Sequence, residues 1–280
     1  MSARNSDGRV YAFGYSPAAV GLMENRSAAM NAGFLLPELT EEMSVLDIGC
    51  GPGSITVGLA ERVPAGKATG LDIEPGQIEL ANARAKDAGL TNCAFDVGSA
   101  LNLPYPNATF DVVFGHTILM QFADAKPVIE EVKRVLKPGG LAAFRELDFS
   151  ASLFGPPGSA IETVWQTLRR SILENDGYPD IGRDLPRLFV NSGFRVVSAK
   201  PVYFNAPTAN ARLAFYAAMG GLWQQADFVS DAVKAGWLTD DERADVQARL
   251  KLEADDMGVL SSTSYVEVLA RLSSEAQISE

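Results

Sequence analysis

One histidine, two cysteines and no excess of basic charge leave this 280-residue sequence short of the groups that bind metals and nucleic acids. His116 cannot form a histidine metal centre alone, and Cys50 and Cys93 show no zinc-type spacing, so no metal is expected. Both cysteines lie in apolar or glycine-rich surroundings and read as buried free thiols. The formal net charge of -11, with no Lys/Arg stripe to offset it, would repel a polyanion and argues against a nucleic-acid partner. No apolar run nears the roughly 20 residues that span a bilayer, and MSARNSDGRV has no apolar signal core. A cytoplasmic protein without membrane insertion is expected. Two nucleotide signatures are missing as well. The dinucleotide pattern G-x-G-x-x-G fails because its last glycine would fall on Ser54 or Thr56, and no Gly-Lys-Ser/Thr follows the glycine turn to make a phosphate loop.

What is present begins at residue 45 with VLDIGCGPGSITVGLA. Val45, Leu46 and Ile48 read as a buried strand ending near Asp47, and Ser54 to Arg62 carries apolar residues at helical spacing. Between them Gly49, Gly51 and Gly53 let the backbone turn sharply and come close to a ligand. A strand, a glycine turn and a helix N-terminus make a nucleotide-type site. The segment 68–73, ATGLDI, is a second strand ending on Asp72, where such folds bind ribose hydroxyls. GSALNLPYPNATFDVVF at 98–114 and EEVKRVLKPGGLAAFRE at 130–146 follow in order.

These segments resemble the motifs of class I S-adenosylmethionine-dependent methyltransferases, in particular the ubiquinone/menaquinone C-methyltransferase-like small-molecule group. The resemblance covers residues 26 to about 204. It implies S-adenosyl-L-methionine as cofactor, a small-molecule acceptor and methyl transfer to O, N or C. It also leaves a cofactor-dependent cyclase or isomerase, or a non-catalytic binding module, as alternatives. Residue by residue, it implies cofactor contacts from Gly49, Gly51 and Gly53, from Asp72 and Ile73, from Gln77, and from Gly98, Ser99 and Ala100. Asp47 is implied to order the loop and face the cofactor's amino group, and Arg26 to pair with its carboxylate. Tyr15 belongs to an aromatic arm that closes over the site. Ser99 departs from the acid many relatives carry there, which shifts adenine recognition onto the Ala100 N–H and apolar contact with Ile73 and Leu101. In HTILMQF, the positions His116, Ile118 and Gln121 match cofactor-facing residues. His116 is a catalytic candidate as well, and Glu146, at the end of the fifth strand, is the second.

The expected fold is α/β: a Rossmann-like, seven-stranded, mostly parallel sheet with helices on both faces. Residues 1–40 read as an arm and one capping helix from Pro17 to Leu36, and 41–148 as the cofactor-binding core. Residues 149–192 and 207–260 read as helical insertions forming a cap over an acceptor pocket, with 193–206 and 261–280 supplying the last strands and a frayed tail. Trp165, Tyr203, Phe215, Trp223 and Phe228 are candidate pocket walls, although taken singly each reads first as core of the helical cap.

Overall fold

A computed structural model of the chain describes residues 8–206 and 208–273. Eight strands form one sheet: β1 Ser44–Ile48, β2 Lys67–Asp72, β3 Cys93–Val97, β4 Phe110–His116, β5 Leu136–Leu147, β6 Leu153–Gly155, β7 Phe194–Asn205 and β8 Leu260–Leu272. The order is β3-β2-β1-β4-β5-β8, with β7 on the far edge of β8. Strands β1 to β5 are parallel, while β8 runs antiparallel to both β5 and β7. The strand beyond the expected seven is β6, three residues of the segment 149–192 read as a helical insertion, which pair with the start of β8 past the end of β5. The tail from residue 274 and the start of the arm lie outside the described residues.

Period-two alternation sorts the sheet into two apolar faces. Val45, Val112, Phe114, Leu141 and Ala143 pack on one side with Leu35 and Leu59. Leu46, Ile48, Val113, Ala142 and Phe144 pack on the other with Val128, Val132 and Phe189. Central strands buried on both faces need such unbroken apolar runs. Helices α3 Ser54–Arg62, α4 Pro75–Asp87, α5 Lys126–Val135 and α7 Leu185–Asn191 flank the sheet. Cys50 is buried as expected, but Cys93 is only half-buried, because β3 is an edge strand.

The single helix expected over 17–36 is instead α1 Pro17–Glu24 and α2 Ala28–Asn31. Ser27 breaks it: its Oγ accepts from the Met30 N–H at 3.3 Å, and its own N–H donates to Asn31 Oδ1 at 3.1 Å. A serine that caps a new turn competes with continuing the old one. The break leaves Asn25 and Arg26 in a bend facing the ends of the strands.

Helices α6 Ala160–Glu174, α8 Ala209–Gln225, α9 Asp227–Lys234 and α10 Asp240–Asp255 pack on one another and on α1. Arg212, buried in α8, ties them together by donating to the carbonyls of Glu253, Ala254, Asp256 and Val259 at 2.6 to 3.2 Å. It satisfies the exposed C-terminal carbonyls of α10 with one side chain. Trp223 and Phe228 take the core reading: they are 0% and 1% exposed in the middle of these helices and line neither of the two cavities described below. Tyr203 lies on the outer strand and is exposed, whereas Trp165 and Phe215 do line a cavity.

Candidate functional site

The sheet grows from β1 toward β3 in one direction and from β4 in the other, so the loops after β1 and β4 part and open a cleft. In the first loop Gly49, Gly51 and Gly53 have φ of 70°, 53° and 73°, a region side chains resist. Space adds to this at two of them. A Cβ on Gly49 would come within 2.8 Å of Ile118, and one on Gly53 within 2.9 Å of Ala81 and Phe95. Gly49 and Gly51 line the cleft; Gly53 is packed behind it.

Asp72 joins the two strand ends. Its Oδ2 accepts from the Gly51 N–H at 2.9 Å and its Oδ1 from the Glu74 N–H at 3.0 Å. A carboxylate has about four acceptor positions, so capacity remains for a ligand in the cleft. Burial raises its pKa, opposed by these N–H groups.

The apolar face of β1, β4 and β5 turns polar at its carboxyl end, where Asp47, His116 and Arg145 continue the alternation of Val45, Phe114 and Ala143. Asp47 is 2% exposed and accepts from Thr56 Oγ1 at 2.6 Å. Burial pushes its carboxyl up to about 7. The native state therefore holds this proton to higher pH than the unfolded chain, and stability falls as pH rises from the usual carboxylate range through 7. Glu146, also pushed up to about 7 by burial, acts in the same direction. Asp47→Asn, which keeps an acceptor for Thr56, is expected to stabilise the cofactor-free protein at pH 8 by about 1–4 kcal/mol and to gain little at pH 5. Thermal denaturation at the two pH values checks this; equal gains at both would show that ionisation is not the cause.

His116 Nε2 lies 2.9 Å from Arg145 Nη1 and 3.1 Å from Asn31 Nδ2. Both are donors, since Asn31 Oδ1 is already taken by the Ser27 N–H. Nε2 is thus the unprotonated nitrogen, and Nδ1–H donates to Thr117 Oγ1 at 3.1 Å. Burial, then Arg26 and Arg145, hold the imidazole well below its usual pKa. The ring is neutral, with its basic lone pair engaged. Thr117, a β-branched residue at φ 54°, is held in this strained backbone by its N–H to Arg145 O at 3.0 Å.

Glu146 points to the opposite sheet face. Its Oε1 accepts from the Ile118 and Leu119 N–H groups, each at 2.8 Å, which shapes the loop after β4, and it lines neither the cleft nor the cavity described below. Of the other expected positions, Tyr15, Arg26, Ile73, Gly98, Ala100, Ile118 and Gln121 line the cleft with Asp47, Asp72 and His116. Gln77 is buried behind Gly51, and Ser99 Oγ accepts from the Leu101 N–H two residues on at 3.2 Å and does not line the cleft. The arm contributes more than expected: Arg9 stacks on Phe122 at 3.6 Å, and Tyr11, pushed up to about 12 by burial, sits 5.2 Å from the ring of Tyr15.

A second cavity of about 350 Å³ lies between α1, α8 and the ends of β5 and β8, and it shares Tyr11, Met23 and Arg26 with the cleft. Arg145, not among the site residues expected from the sequence, lines this cavity. Its guanidinium lies 3.7 Å over the Tyr265 ring, with Nε 3.2 Å from Glu267. The alternation Leu141, Ala143, Arg145 was the available signal. Among the described residues no group of three or more His, Cys, Asp or Glu is placed to hold a metal, and no helix is long and apolar enough to cross a membrane.

The cleft suits a cofactor with hydroxyl, carboxylate and aromatic-base groups. Asp72 has acceptor capacity, Gln121 Nε2 is buried without a partner, and the Arg26 side chain makes no hydrogen bond or ion pair with a described residue. Comparison with known proteins agrees. Residues 39–176 match the family described as Methyltransferase domain. Over 199 residues the chain is 36% identical to "Probable methyltransferase ltbC" of Aspergillus luteorubrus, covering 66% of this chain and 68% of that protein. It is 33% identical to demethylmenaquinone methyltransferase of Geobacillus stearothermophilus, over 57% of this chain and 74% of the relative. The solved structure of the [4+2]-cyclase SpnF superposes with a TM-score of 0.57 over 91% of this chain and 81% of its own, at 22% identity, a likeness of fold. The chain belongs to the class I S-adenosylmethionine-dependent methyltransferases. It is an enzyme whose cofactor is S-adenosyl-L-methionine.

Proposed function

We propose that this enzyme methylates a small molecule held in the cavity beneath α8. The observation that carries this reading is the junction of cleft and cavity at Tyr11, Met23 and Arg26, which sets a cofactor and an acceptor side by side. The cofactor supplies an electrophilic methyl group on a sulfonium. The chain's own task is then alignment and exclusion of water. In this reading Asp72 takes the ribose hydroxyls, the Gly49–Gly51 backbone lies against the methionine tail, and Asp47 and Arg26 face its ammonium and carboxylate. Ile73, Ala100 and Gln121 hold the adenine. The arm and α1 close one side, and α6 and α8 to α10 cap the acceptor.

Isotopically labelled methyl donor incubated with the enzyme and a metabolite extract should yield a labelled small molecule and S-adenosylhomocysteine. Calorimetry should show binding of donor and demethylated product but not of NAD. A second reading, a cyclase that uses the sulfonium without losing its methyl, draws support from the fold likeness to SpnF. Turnover of an acceptor without S-adenosylhomocysteine would favour it, and binding without any turnover would favour a non-catalytic module.

A further inference from the structure

The cavity walls combine an apolar body with one cationic corner. Phe13, Leu22, Trp165, Phe215 and Met219 form the body. Arg145, 5% exposed, forms the corner, and its position is set by three neighbours: the Tyr265 ring beneath it, Glu267 at 3.2 Å and His116 Nε2 at 2.9 Å. Its Nη2 makes no hydrogen bond to a described residue, so donor capacity remains at the cavity wall. Arg26 faces the same space from the bend between α1 and α2.

Among the described residues lining the cavity there is no carboxylate, lysine or imidazole. Tyr11 lines it as a neutral phenol, and Asn31 faces it as an amide. His116 lies behind Arg145 with its lone pair taken by two donors. A protein surface of this kind stabilises a negative oxygen but cannot remove a proton from a neutral hydroxyl. A protonated amine would meet two guanidinium groups.

We propose that the acceptor is a mostly apolar oxygen acid, a phenol or enol acidified enough to ionise near neutral pH, which binds as its anion beside Arg145 and is methylated on oxygen. The inference rests on the methyltransfer reading and narrows it. The proton leaves to solvent before binding. The anionic oxygen then donates an electron pair to the methyl carbon as the carbon–sulfur bond breaks with its pair left on sulfur. One negative and one positive charge cancel, giving a neutral ether and a neutral thioether, and no base is needed. Attack by a ring carbon of the same anion would give a ketone tautomer that loses its ring proton to solvent afterwards, a product that carries the methyl group on carbon.

The test uses 2-naphthols whose ring substituents grade their acidity across neutral pH, with 2-naphthoic acid, 2-naphthylamine and 2-naphthylmethanol as the other arms. Acidified naphthols should give O-methyl products, and kcat/KM should rise with pH to a plateau at each acceptor's own ionisation. Turnover of naphthoic acid to its ester without turnover of the acidified naphthols would assign the site to a carboxylate and overturn the phenol or enol class. A rising limb at one common pH for all acceptors, or preference for the amine, the neutral alcohol or ring-carbon products, would overturn the proposal.

Binding with the demethylated cofactor present provides a readout apart from turnover. Arg145→Gln should weaken the ionised naphthol about 10- to 100-fold, leave the neutral methyl ether unchanged, and recover in part in Arg145→Lys. Equal loss for both ligands would mark Arg145 as structural only and overturn its assigned role. If labelled transfer to extract metabolites occurs but only to carbon, nitrogen or neutral alcohols, this inference fails while methyl transfer stands. Absence of S-adenosylhomocysteine with every acceptor would remove the broader reading instead.

Discussion

Replacement of Trp223 by alanine is expected to cost about 3–5 kcal/mol of stability, because a fully buried indole leaves both lost apolar contact and a cavity. The ring is 0% exposed, meets Phe228 edge-on at 6.3 Å, and donates from Nε1 to the Arg243 carbonyl at 3.0 Å. Single domains have only about 5–15 kcal/mol of net stability, so this loss is a large share of the whole. Urea denaturation should show a lower midpoint, and Trp223→Phe should recover most of the difference but not the bond to Arg243. A normal midpoint with a raised acceptor Michaelis constant would return Trp223 to the pocket wall.

Asp72→Ala is expected to weaken cofactor binding roughly 10- to 100-fold, the effect of losing a charged acceptor worth about 1.5–3 kcal/mol. The structure adds a second reason to the ribose contact. Without the carboxylate the Gly51 and Glu74 N–H groups lose their partner, and the glycine loop is no longer tied to β2. Asp72→Asn separates the two contributions, since its amide oxygen can still accept one N–H while the charge is gone. Calorimetric titration of both variants, with circular dichroism to establish folding, checks the expectation. Unchanged affinity in Asp72→Ala would place the ribose on another residue.

The difference between Trp223 and Asp72 shows what kind of feature a sequence reveals. Asp72 was legible because its setting is local: an apolar strand before it and a helix with Pro75 at its first position after it. Trp223 stayed open between core and pocket wall, because an aromatic in a helix has the same local pattern whether its face meets a core or a cavity. The same holds for His116 and Glu146. Strand alternation puts these residues on opposite faces of the sheet, but only the packing of α2 brings Asn31 onto the imidazole and only the loop after β4 turns its N–H groups to the carboxylate. Two donors occupy the Nε2 lone pair that the imidazole would use as a general base, and the Glu146 carboxyl is buried away from both the cleft and the cavity beneath α8.

The sequence by itself determined the family, the strand–glycine turn–helix unit at 44–62 and the alternation of strands and helices as far as residue 147, since backbone handedness and apolar periodicity depend on contiguous residues. Only the tertiary structure decided that the helix after Pro17 breaks at Ser27, that β6 joins the sheet, and that Arg145 forms the one deeply buried cationic corner of a cavity roofed by α8. Those outcomes depend on residues far apart in the chain competing for the same hydrogen bonds and the same buried surface, and that competition is resolved only when the faces meet.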